Sequence, residues 1–420
     1  MIFGFSNPRY APIAVDFGAD ALKLLQVVPT DPPQMVAAAS VAVPAATRGN
    51  PGLRNAFLAD ALKALLRTGI FKGRRAILSL PAYQTLVHNL QITPGDEGET
   101  AIQIEQHLRQ RLNIEPTRMV IRHFSVGPVM RDGANKEEII CLAASRDVVM
   151  AHLDIAQRAR LDVVGMHSEP VAILKAFGHL FRRQDDAERT VGFIDIGAAT
   201  TKVVIAQGGH MVFAKTIHAA GEHLTRQRAQ AQGVEFAEAR QMRIEEAAAG
   251  RAAHQVREAE AADAAVAAVA AAPRRTGGLA VLESQLAAQS ASEAGQEERS
   301  STAGADGNHS RRCGAAARAA EGANETIDCL IDELQLCTRY YQSMFPQRPL
   351  EKLVFLGGEA HQVSLCQKVA RALRIGAQLG DPLARLARAS AAKDAIKIDM
   401  RQPQPGWAVP LGLCLSEPNL

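Results

Sequence analysis

Short runs of apolar residues alternate along the chain with segments whose apolar residues recur at helical spacing. The runs at Ile13 to Asp16, Ala76 to Leu80 and Leu353 to Leu356 indicate short strands with both faces buried. In Leu53 to Arg67 and in Ala101 to Leu112 the apolar residues return every three or four positions, which predicts amphipathic helices. Strands that alternate with helices in this way predict an α/β fold.

One long segment lacks this pattern. Between about Gly250 and Gly322 the chain is first rich in Ala, with 15 in the 26 residues of Ala247 to Ala272, and then rich in Gly, Ser and Gln. Alanine favours helix, so the first part is compatible with a frayed helix. The remainder has too little apolar surface to offset the entropy of ordering the chain. The segment therefore predicts a disordered insertion of roughly 40–70 residues, for which an interaction arm is the alternative.

Composition excludes several classes of protein. Aromatic residues make up only 4% of the chain, which disfavours a binder that stacks single-stranded bases on aromatic rings. The 47 basic and 44 acidic residues nearly balance, so the chain lacks the strong positive charge that is typical of nucleic-acid-binding proteins. The six cysteines form no C-x-x-C pair, which disfavours structural zinc and indicates reduced thiols. Without a signal peptide or a membrane-length apolar stretch, we expect a cytoplasmic protein with no transmembrane segment of its own.

The most informative feature is an internal repeat. Residues 15–25 read V-D-F-G-A-D-A-L-K-L-L and residues 194–204 read I-D-I-G-A-A-T-T-K-V-V, so the two segments align without gaps at an offset of 179. Each copy predicts a buried strand that ends in Asp, a hairpin that contains Gly, and a second strand that starts at Lys. Two such copies, half a chain apart, imply two similar domains that face each other across a cleft.

The chemistry of these hairpins suits a polyphosphate. Glycine lets the backbone approach a ligand closely, and successive N–H groups of a turn form a concave site for anionic oxygens. A single Asp-x-Gly is commoner in an ordinary hairpin, so the repetition carries the interpretation. Two lysines add positive charge, two threonines add hydroxyl donors, and two aspartates can hold a hydrated Mg²⁺: Lys23, Lys202, Thr200, Thr201, Asp16 and Asp195.

Two further glycine-containing segments follow predicted strands. Gly221 and Glu222 open a helix, so we expect their N–H groups to meet a ligand. Gly357 and Gly358 follow the buried strand L-V-F-L, an arrangement that admits a nucleotide close to the backbone. An ordinary tight turn is the alternative for the Gly-Gly pair.

One acidic residue lies at the predicted junction of the domains. Glu169 stands in H-S-E-P-V-A, between a strand and a helix. A carboxylate there is able to position water for hydrolysis. Capping of the helix that opens at Pro170 is the alternative role.

The order of these motifs resembles the actin-like ATPase superfamily and, within it, the PilM family of type IV pilus assembly proteins, relatives of the division protein FtsA. The resemblance runs from about Ile13 to Leu415 without the insertion. It comprises the two hairpins, S-E-P-V-A, G-E-H-L-T, the adenosine motif F-L-G-G-E-A and the closing W-A-V-P-L-G-L-C-L. Softer matches are S-L-P-A-Y and L-A-A-S-R-D-V-V, which resemble the extra small domain of that family.

This resemblance implies a fold and its subdivision. The fold would be the actin-like ATPase fold, in which two duplicated RNase H-like lobes enclose a nucleotide cleft and an extra small α/β subdomain, called 1C, is attached. The implied boundaries are 12–83 with 165–190 and 402–420 for the first lobe (1A), 84–164 for subdomain 1C, 191–220 with 328–401 for the second lobe (2A), and 221–327 for subdomain 2B with the insertion.

The resemblance also implies ATP and Mg²⁺ as cofactors, with weak ATPase activity at most. Two family motifs differ here, because Ala19, Asp20 and Ala21 occupy a loop that usually carries Ser, and A-R-Q-M-R replaces A-E-x-x-K at 239–243, which loses the acid and exchanges Lys for Arg. An acid beside phosphates is unfavourable unless it points at the metal. The implied roles are phosphate or metal binding by Asp16, Gly18, Lys23, Asp195, Gly197, Thr200, Thr201 and Lys202, contact with ribose and base by Gly221, Glu222, Arg243, Gly357 and Gly358, and catalysis by Glu169.

The biological role implied by the resemblance is that of a platform. Family members bind ATP and the cytoplasmic tail of the membrane protein PilN, so we expect a cytoplasmic protein held at the inner-membrane assembly complex through its partners. A phosphotransferase of the sugar or acetate kinase type and a filament-forming protein are the alternatives on the same fold. An FtsA assignment is weaker, since that family ends in an amphipathic membrane-binding helix and this chain ends L-C-L-S-E-P-N-L.

Overall fold

The computed structural model of the chain describes residues 10–131, 133–271, 310–388, 395–396 and 398–420. The insertion predicted at about 250–322 is described only in part, because its centre, 272–309, lies outside the described residues. Helix Phe236–Ala271 leads to that segment and helix Ser310–Met344 follows it.

The first lobe contains a six-stranded sheet with helices packed on it. In space the strands follow the order β14-β3-β2-β1-β4-β8, in which β1 pairs antiparallel with β2 and parallel with β4. The strands are β1 (Ile13–Phe17), β2 (Ala21–Val28), β3 (Gln34–Ala42), β4 (Arg75–Leu80), β8 (Asp162–Ser168) and β14 (Ala387–Arg388), and the helices are α1 (Ala45–Arg48), α2 (Pro51–Arg67), α4 (Arg146–Arg158) and α5 (Glu169–Ala176).

The second lobe repeats this architecture with a five-stranded sheet. Its order is β11-β10-β9-β12-β13, again with an antiparallel meander followed by parallel strands. The strands are β9 (Thr190–Ile196), β10 (Thr201–Gln207), β11 (His210–Ile217), β12 (Lys352–Leu356) and β13 (Ala377–Leu379), and the helices are α6 (Gly221–Gln232), α7 (Phe236–Ala271), α8 (Ser310–Met344) and α9 (Val363–Leu373). Helix α10 (Ala408–Cys414) belongs to the first lobe, where it packs on α5 and on strands β1, β2 and β4.

A small subdomain is inserted into the first lobe. It consists of a three-stranded antiparallel sheet, in the order β5-β7-β6, and one helix. Asp96 and Glu99 form a capping box at the start of that helix, and Asn113 ends it in the left-handed conformation. Its elements are β5 (Thr85–Ile92), α3 (Glu97–Leu112), β6 (Met119–Arg131) and β7 (Ala134–Ser145).

Packing places two domain boundaries differently from the sequence prediction. Helix α4 packs on α2, and its residues Ile155 and Ala156 are buried in the core of the first lobe, so the small subdomain ends near Ser145 and not at 164. The chain also returns to the first lobe before 402, because β14 pairs with β3. An amphipathic pattern identifies a helix, but it does not tell which of two cores receives the apolar face.

One hydrophobic cluster joins the two lobes beneath the cleft. It runs from Ile77 in the first sheet through Ala172 of α5 and Leu413 of α10 to Phe193 and Val204 in the second sheet. Each of these side chains is completely buried, and full burial of a large apolar side chain contributes about 1.5–3 kcal/mol. The two lobes therefore share a core at the base of the cleft, and the cleft opens above it.

Candidate nucleotide-binding cleft

The two copies of the repeated motif form matching hairpins that line one cavity. In the first, Asp16 lies opposite Lys23 on the paired strands β1 and β2. In the second, Asp195 lies opposite Lys202 on β9 and β10. Both hairpins, together with Glu169 and the turn after β12, line the cavity between the lobes. The predicted arrangement of two duplicated lobes around a cleft is therefore confirmed.

Each hairpin turns at a glycine where the backbone folds back tightly. A Cβ on Gly18 would lie 2.9 Å from the carbonyl oxygen of Ala21, and a Cβ on Gly197 would lie 3.0 Å from that of Thr200. The Gly197 N–H donates to the same Thr200 oxygen at 3.0 Å. A side chain at either glycine would therefore push the loop apart, which explains the glycine in both copies.

Two successive residues of each loop line the cavity, and their backbone N–H groups have no hydrogen-bond partner among the described residues. They belong to Ala19 and Asp20 in the first loop and to Ala198 and Ala199 in the second. In the part of the chain that the structure describes, no group accepts a hydrogen bond from them. Successive unpaired N–H groups form a site for anionic oxygens, so both loops fit a polyphosphate.

The first N–H groups of α6 are already used within the protein. The Gly221 N–H donates to the carbonyl oxygen of Gly197 at 3.1 Å, and the Glu222 N–H donates to that of Ala198 at 2.8 Å. The expectation that these two N–H groups meet a ligand is therefore wrong. They hold the second loop instead, and they keep its carbonyl groups on the side away from the unpaired N–H groups.

Lys202 joins the buried carboxylates of the cleft. Its Nζ lies 2.8 Å from Glu169 Oε2 and 3.2 Å from Asp195 Oδ1, and all three side chains are buried. Burial lowers the pKa of Lys202, but attraction by Asp195 and Glu169 outweighs burial and raises that pKa overall, so the ammonium stays charged. Burial raises the pKa of Asp195, and Lys202 offsets part of this effect.

Asp16 is the corresponding carboxylate of the first lobe, and it is less well compensated. Ser79 Oγ donates to Asp16 Oδ1 at 3.0 Å. Burial and the charge of Glu169 raise the pKa of Asp16 to about 7. Lys23, its partner across the hairpin, donates instead to the carbonyl oxygen of Gly406. A divalent cation beside Asp16 would supply the missing positive charge.

The carboxylates fit a magnesium ion that is held together with a nucleotide. Asp16 and Asp195 bring one carboxylate from each lobe to the cavity. Among the described residues, no three His, Cys, Asp or Glu side chains converge closely enough to hold a metal ion. Mg²⁺ commonly keeps several waters and binds through one or two carboxylates and the phosphates of a nucleotide. The donor set therefore suits a hydrated Mg²⁺ and does not form a cage made by the protein alone.

Glu169 lines the cavity, but both of its oxygens already have partners. Oε2 pairs with Lys202, and Oε1 accepts the Ala82 N–H at 3.0 Å. The N-cap of α5 is Ser168, and Glu169 makes no hydrogen bond to that helix. The alternative that Glu169 caps α5 is therefore wrong. Its role in positioning water stays a prediction.

The two threonines of the second loop lie on opposite sides of the sheet. Thr200 lines the cavity. Thr201 is fully buried, and its hydroxyl donates to the carbonyl oxygen of Ala219 at 2.7 Å. Successive residues of a strand point to opposite faces, so Thr201 turns away when Lys202 points into the cleft. The prediction that Thr201 binds phosphate is therefore wrong, and Thr200 remains the candidate hydroxyl.

A second cavity adjoins the first and is lined by α6, α7 and the turn after β12, including Gly221, Glu222 and Arg243. The Arg243 guanidinium donates to the carbonyl oxygen of Gly221 at 2.8 Å and to Thr225 Oγ1 at 2.7 Å, and it pairs with Glu359. Arg243 therefore shapes this cavity by joining the three elements. Its predicted contact with a ligand stays a prediction.

The glycine pair after β12 contains one position that requires glycine. Gly357 has φ +87°, and a Cβ there would lie 2.2 Å from the carbonyl oxygen of Ile196 and 2.6 Å from Asp195 Oδ1. Its N–H donates to the carbonyl oxygen of Pro405 at 3.1 Å. A Cβ on Gly358, by contrast, would meet nothing within 4 Å. Gly357 therefore lets this turn lie directly against the end of β9, while Gly358 lines the cavity.

Sequence reasoning missed an ion-pair network at the mouth of the cleft. Asp20 of the first loop pairs with Arg48 of α1 and with Arg240 of α7, and Arg48 Nη1 lies 3.0 Å from Glu222 Oε1. Because α6 and α7 belong to the second lobe, the network joins the two lobes. Two guanidinium groups thus neutralise the acid that the sequence places beside the predicted phosphates. The sequence contained a sign of this network, since Asp20 and Arg240 both differ from the family motifs and carry opposite charges.

Duplicated lobes whose Asp-x-Gly hairpins face one cleft define the actin-like ATPase fold. The chain is similar in fold to one chain of the PilM–PilN type IV pilus biogenesis complex, with a TM-score of 0.66 at 18% identity over 97% of this chain and 98% of that one. It also matches the ethanolamine utilization protein EutJ from Carboxydothermus hydrogenoformans, with a TM-score of 0.46 at 13% identity over 97% and 90% of the two chains. No curated protein matches the sequence.

The family follows from the sequence. The model of the family described as type IV pilus assembly protein PilM matches residues 14–258, which is more than half of the chain. The chain therefore belongs to the PilM family. In the described residues, no helix is both long enough and apolar enough to cross a membrane.

Proposed function

We propose that this chain binds Mg-ATP in the cleft between its two lobes. The observation that carries the proposal is the pair of facing loops, which line one cavity together with Lys23 and Lys202 and whose successive N–H groups have no partner among the described residues. The triphosphate lies between the loops, and the nucleoside occupies the adjoining cavity. The polyphosphate contacts come from Gly18, Gly197, Thr200 and the two lysines, a hydrated Mg²⁺ binds Asp16 and Asp195, and the nucleoside lies against Gly221, Glu222, Arg243, Gly357 and Gly358.

Hydrolysis of the bound ATP is slow in this proposal. The candidate for positioning the attacking water is Glu169, and both of its oxygens are occupied, one by Lys202 and one by the Ala82 N–H. A general base must lie within hydrogen-bond reach of the proton that it takes, and these two contacts hold the Glu169 carboxylate so that it cannot turn freely towards a water. The chain therefore acts mainly as a nucleotide-binding protein with weak ATPase activity.

Calorimetry with Asp195→Asn tests the binding proposal. The amide keeps the size of the side chain but removes the charge that would hold Mg²⁺, so we expect affinity for Mg-ATP to fall at least tenfold. Asp31→Asn, at an exposed position, is the matched control and should bind as the unchanged protein does. Undiminished affinity in Asp195→Asn, or no Mg-ATP binding by the unchanged protein, would refute the site.

We also propose that the chain is a cytoplasmic platform for type IV pilus assembly. In this role it binds the cytoplasmic tail of a PilN-like membrane protein and is held at the inner-membrane assembly complex through that partner. Membership of the PilM family and a fold similar to a chain of a PilM–PilN complex support the proposal. A pull-down with a PilN-type tail peptide, with and without Mg-ATP, tests it against a scrambled peptide. Failure of folded protein to retain the peptide overturns it.

Two further measurements distinguish this role from the two alternatives on the same fold, a phosphotransferase and a filament-forming protein. A phosphotransferase consumes ATP faster when its small-molecule substrate is added, so stimulation in a metabolite screen would favour that activity. A filament-forming protein pellets in an ATP-dependent manner. We expect neither result.

A further inference from the structure

Arg54 lies beneath the first loop and holds it with two hydrogen bonds. Its Nη2 donates to the carbonyl oxygen of Gly18 at 2.8 Å, and its Nη1 donates to that of Ala19 at 3.1 Å. The side chain is buried, with 6% exposed, and the guanidinium lies 5.6 Å from the centre of the Tyr83 ring. Tyr83 lines the cavity and Arg54 does not. Arg54 therefore reaches the cleft only through the loop that it holds.

In the second lobe, the amino end of helix α6 holds the equivalent carbonyl groups. In the repeat, Gly18 corresponds to Gly197 and Ala19 corresponds to Ala198. The carbonyl oxygens of Gly197 and Ala198 accept the first two N–H groups of α6, at 3.1 and 2.8 Å. One planar guanidinium, with two donors in a fixed fork, thus replaces two helix N–H groups at the equivalent carbonyl pair.

The position of Arg54 is unfavourable for the free energy of folding. The residue lies in the first turn of α2, which begins at Pro51 behind the N-cap Asn50. A cation near the amino end of a helix is opposed by the helix dipole. Among the described residues, no carboxylate lies within ion-pair distance of the Arg54 guanidinium. A buried charge without a counter-ion is unfavourable, and an anion bound on the other side of the loop would compensate the charge of Arg54.

We infer that Arg54 is a positioning residue for polyphosphate binding. By taking the carbonyl groups of Gly18 and Ala19, it fixes the orientation in which the N–H groups of Ala19 and Asp20 remain in the cavity. Its uncompensated charge also favours an anion there. The inference rests on the proposed binding of Mg-ATP, and Arg54 itself does not touch the ligand.

Binding measurements on full-length variants test this role. We expect Arg54→Met to weaken Mg-ATP binding by about 10- to 100-fold, measured by calorimetry, and to leave the affinity for adenosine within twofold, measured by equilibrium dialysis. Arg54→Lys keeps the charge but not the fork, so it should recover only part of the loss. Millimolar guanidinium ion should partly restore Mg-ATP binding to Arg54→Met. The matched control is Arg67→Met, at an exposed position in the last turn of α2.

The outcomes distinguish this inference from the proposed function. If the unchanged protein binds Mg-ATP and Arg54→Met binds it equally well, the inference fails and the proposed function stands. If the affinities for Mg-ATP and adenosine fall together, Arg54 is merely structural and the inference is overturned. If the unchanged protein does not bind Mg-ATP, both fail. Should Arg54→Met not fold, the comparison of Mg-ATP with adenosine in Arg54→Lys decides the question.

Discussion

Asp20 and Arg240 form an ion pair that spans the mouth of the cleft, from a loop of the first lobe to helix α7 of the second. Arg48 pairs with the other oxygen of Asp20 and also with Glu222. Both Asp20 and Arg240 depart from the residues that the family resemblance implies at these positions. Asp20 alone would place a negative charge beside the predicted phosphates, and Arg240 compensates that charge while the pair joins the lobes.

The Asp20–Arg240 pair should contribute modestly to stability. Its side chains are about a third exposed, so a double-mutant cycle with Asp20→Ala and Arg240→Ala should give a coupling free energy of about 0.5–1 kcal/mol. Urea unfolding of the four proteins measures this coupling. The Arg182–Asp31 pair, whose side chains are more than half exposed, is the control and should give a value near zero. Equal coupling in the two pairs would contradict a stabilising contact between the lobes.

Lys202 should be essential for folding stability, independently of any ligand. Lys202→Met leaves Asp195 and Glu169 buried without their cation, and the loss of one member of a buried pair costs about 3–5 kcal/mol. Urea unfolding at neutral pH measures the loss. Adding Glu169→Gln to Lys202→Met should recover part of it, since one of the stranded charges is then removed.

Lys23→Met is the matched control for Lys202, because it is the equivalent residue of the repeat. Lys23 donates to the carbonyl oxygen of Gly406, and among the described residues no carboxylate lies within 4 Å of its ammonium. Its loss should therefore cost only about 1–2 kcal/mol. Similar destabilisation by the two substitutions would show that the buried carboxylates near Lys202 do not carry the effect.

Two neighbouring glycines should respond very differently to alanine. Gly357→Ala introduces a Cβ that would lie 2.2 Å from the Ile196 carbonyl oxygen, at a residue with positive φ. We expect it to lower the free energy of unfolding by about 2 kcal/mol or more and to weaken Mg-ATP binding. Gly358→Ala, where the added Cβ meets nothing, should change stability by less than about 0.5 kcal/mol. Thermal unfolding with calorimetry of both variants checks this difference, and equal effects would contradict it.

The repeat in the sequence predicted the centre of the candidate site because the residues that face each other there are close together in the chain. Asp16 and Lys23, like Asp195 and Lys202, are seven positions apart in a hairpin, so the turn length alone sets them opposite each other. The presence of a hydroxyl did not tell whether Thr201 faces the cleft, since alternate residues of a strand point to opposite faces of the sheet. The predicted role of Lys202 in the cleft already implied that Thr201 faces away from it, because neighbouring strand residues point to opposite faces.

The remaining differences concern contacts between distant segments. Arg54 lies 36 positions from Gly18, and nothing in the pattern of α2 indicates that its first turn meets the loop. The N–H groups of Gly221 and Glu222 look available in the sequence, and only the folded chain brings the second loop to them. Local patterns therefore identified the elements and the repeat, while tertiary packing decided which donors stay free for a ligand.

A histidine pair in the small subdomain should make that subdomain sensitive to acid. His88 of β5 and His107 of α3 have their Nε2 atoms 3.1 Å apart. Burial and the neighbouring His107 lower the pKa of His88, and burial and Arg111 lower the pKa of His107. The folded state thus favours neutral rings, so their contribution to stability is present above pH 6.5 and is lost as the pH falls below that value.

Urea unfolding between pH 7.5 and pH 5 measures the effect of this pair. We expect the unchanged protein to lose about 0.5–1 kcal/mol more over this range than His107→Gln, a modest value because both rings are partly exposed to solvent. The amide of Gln can still donate to His88 but does not titrate. His210→Gln, at an exposed position of β11, is the control and should keep the pH dependence of the unchanged protein. The same dependence in His107→Gln would rule out the pair as its source.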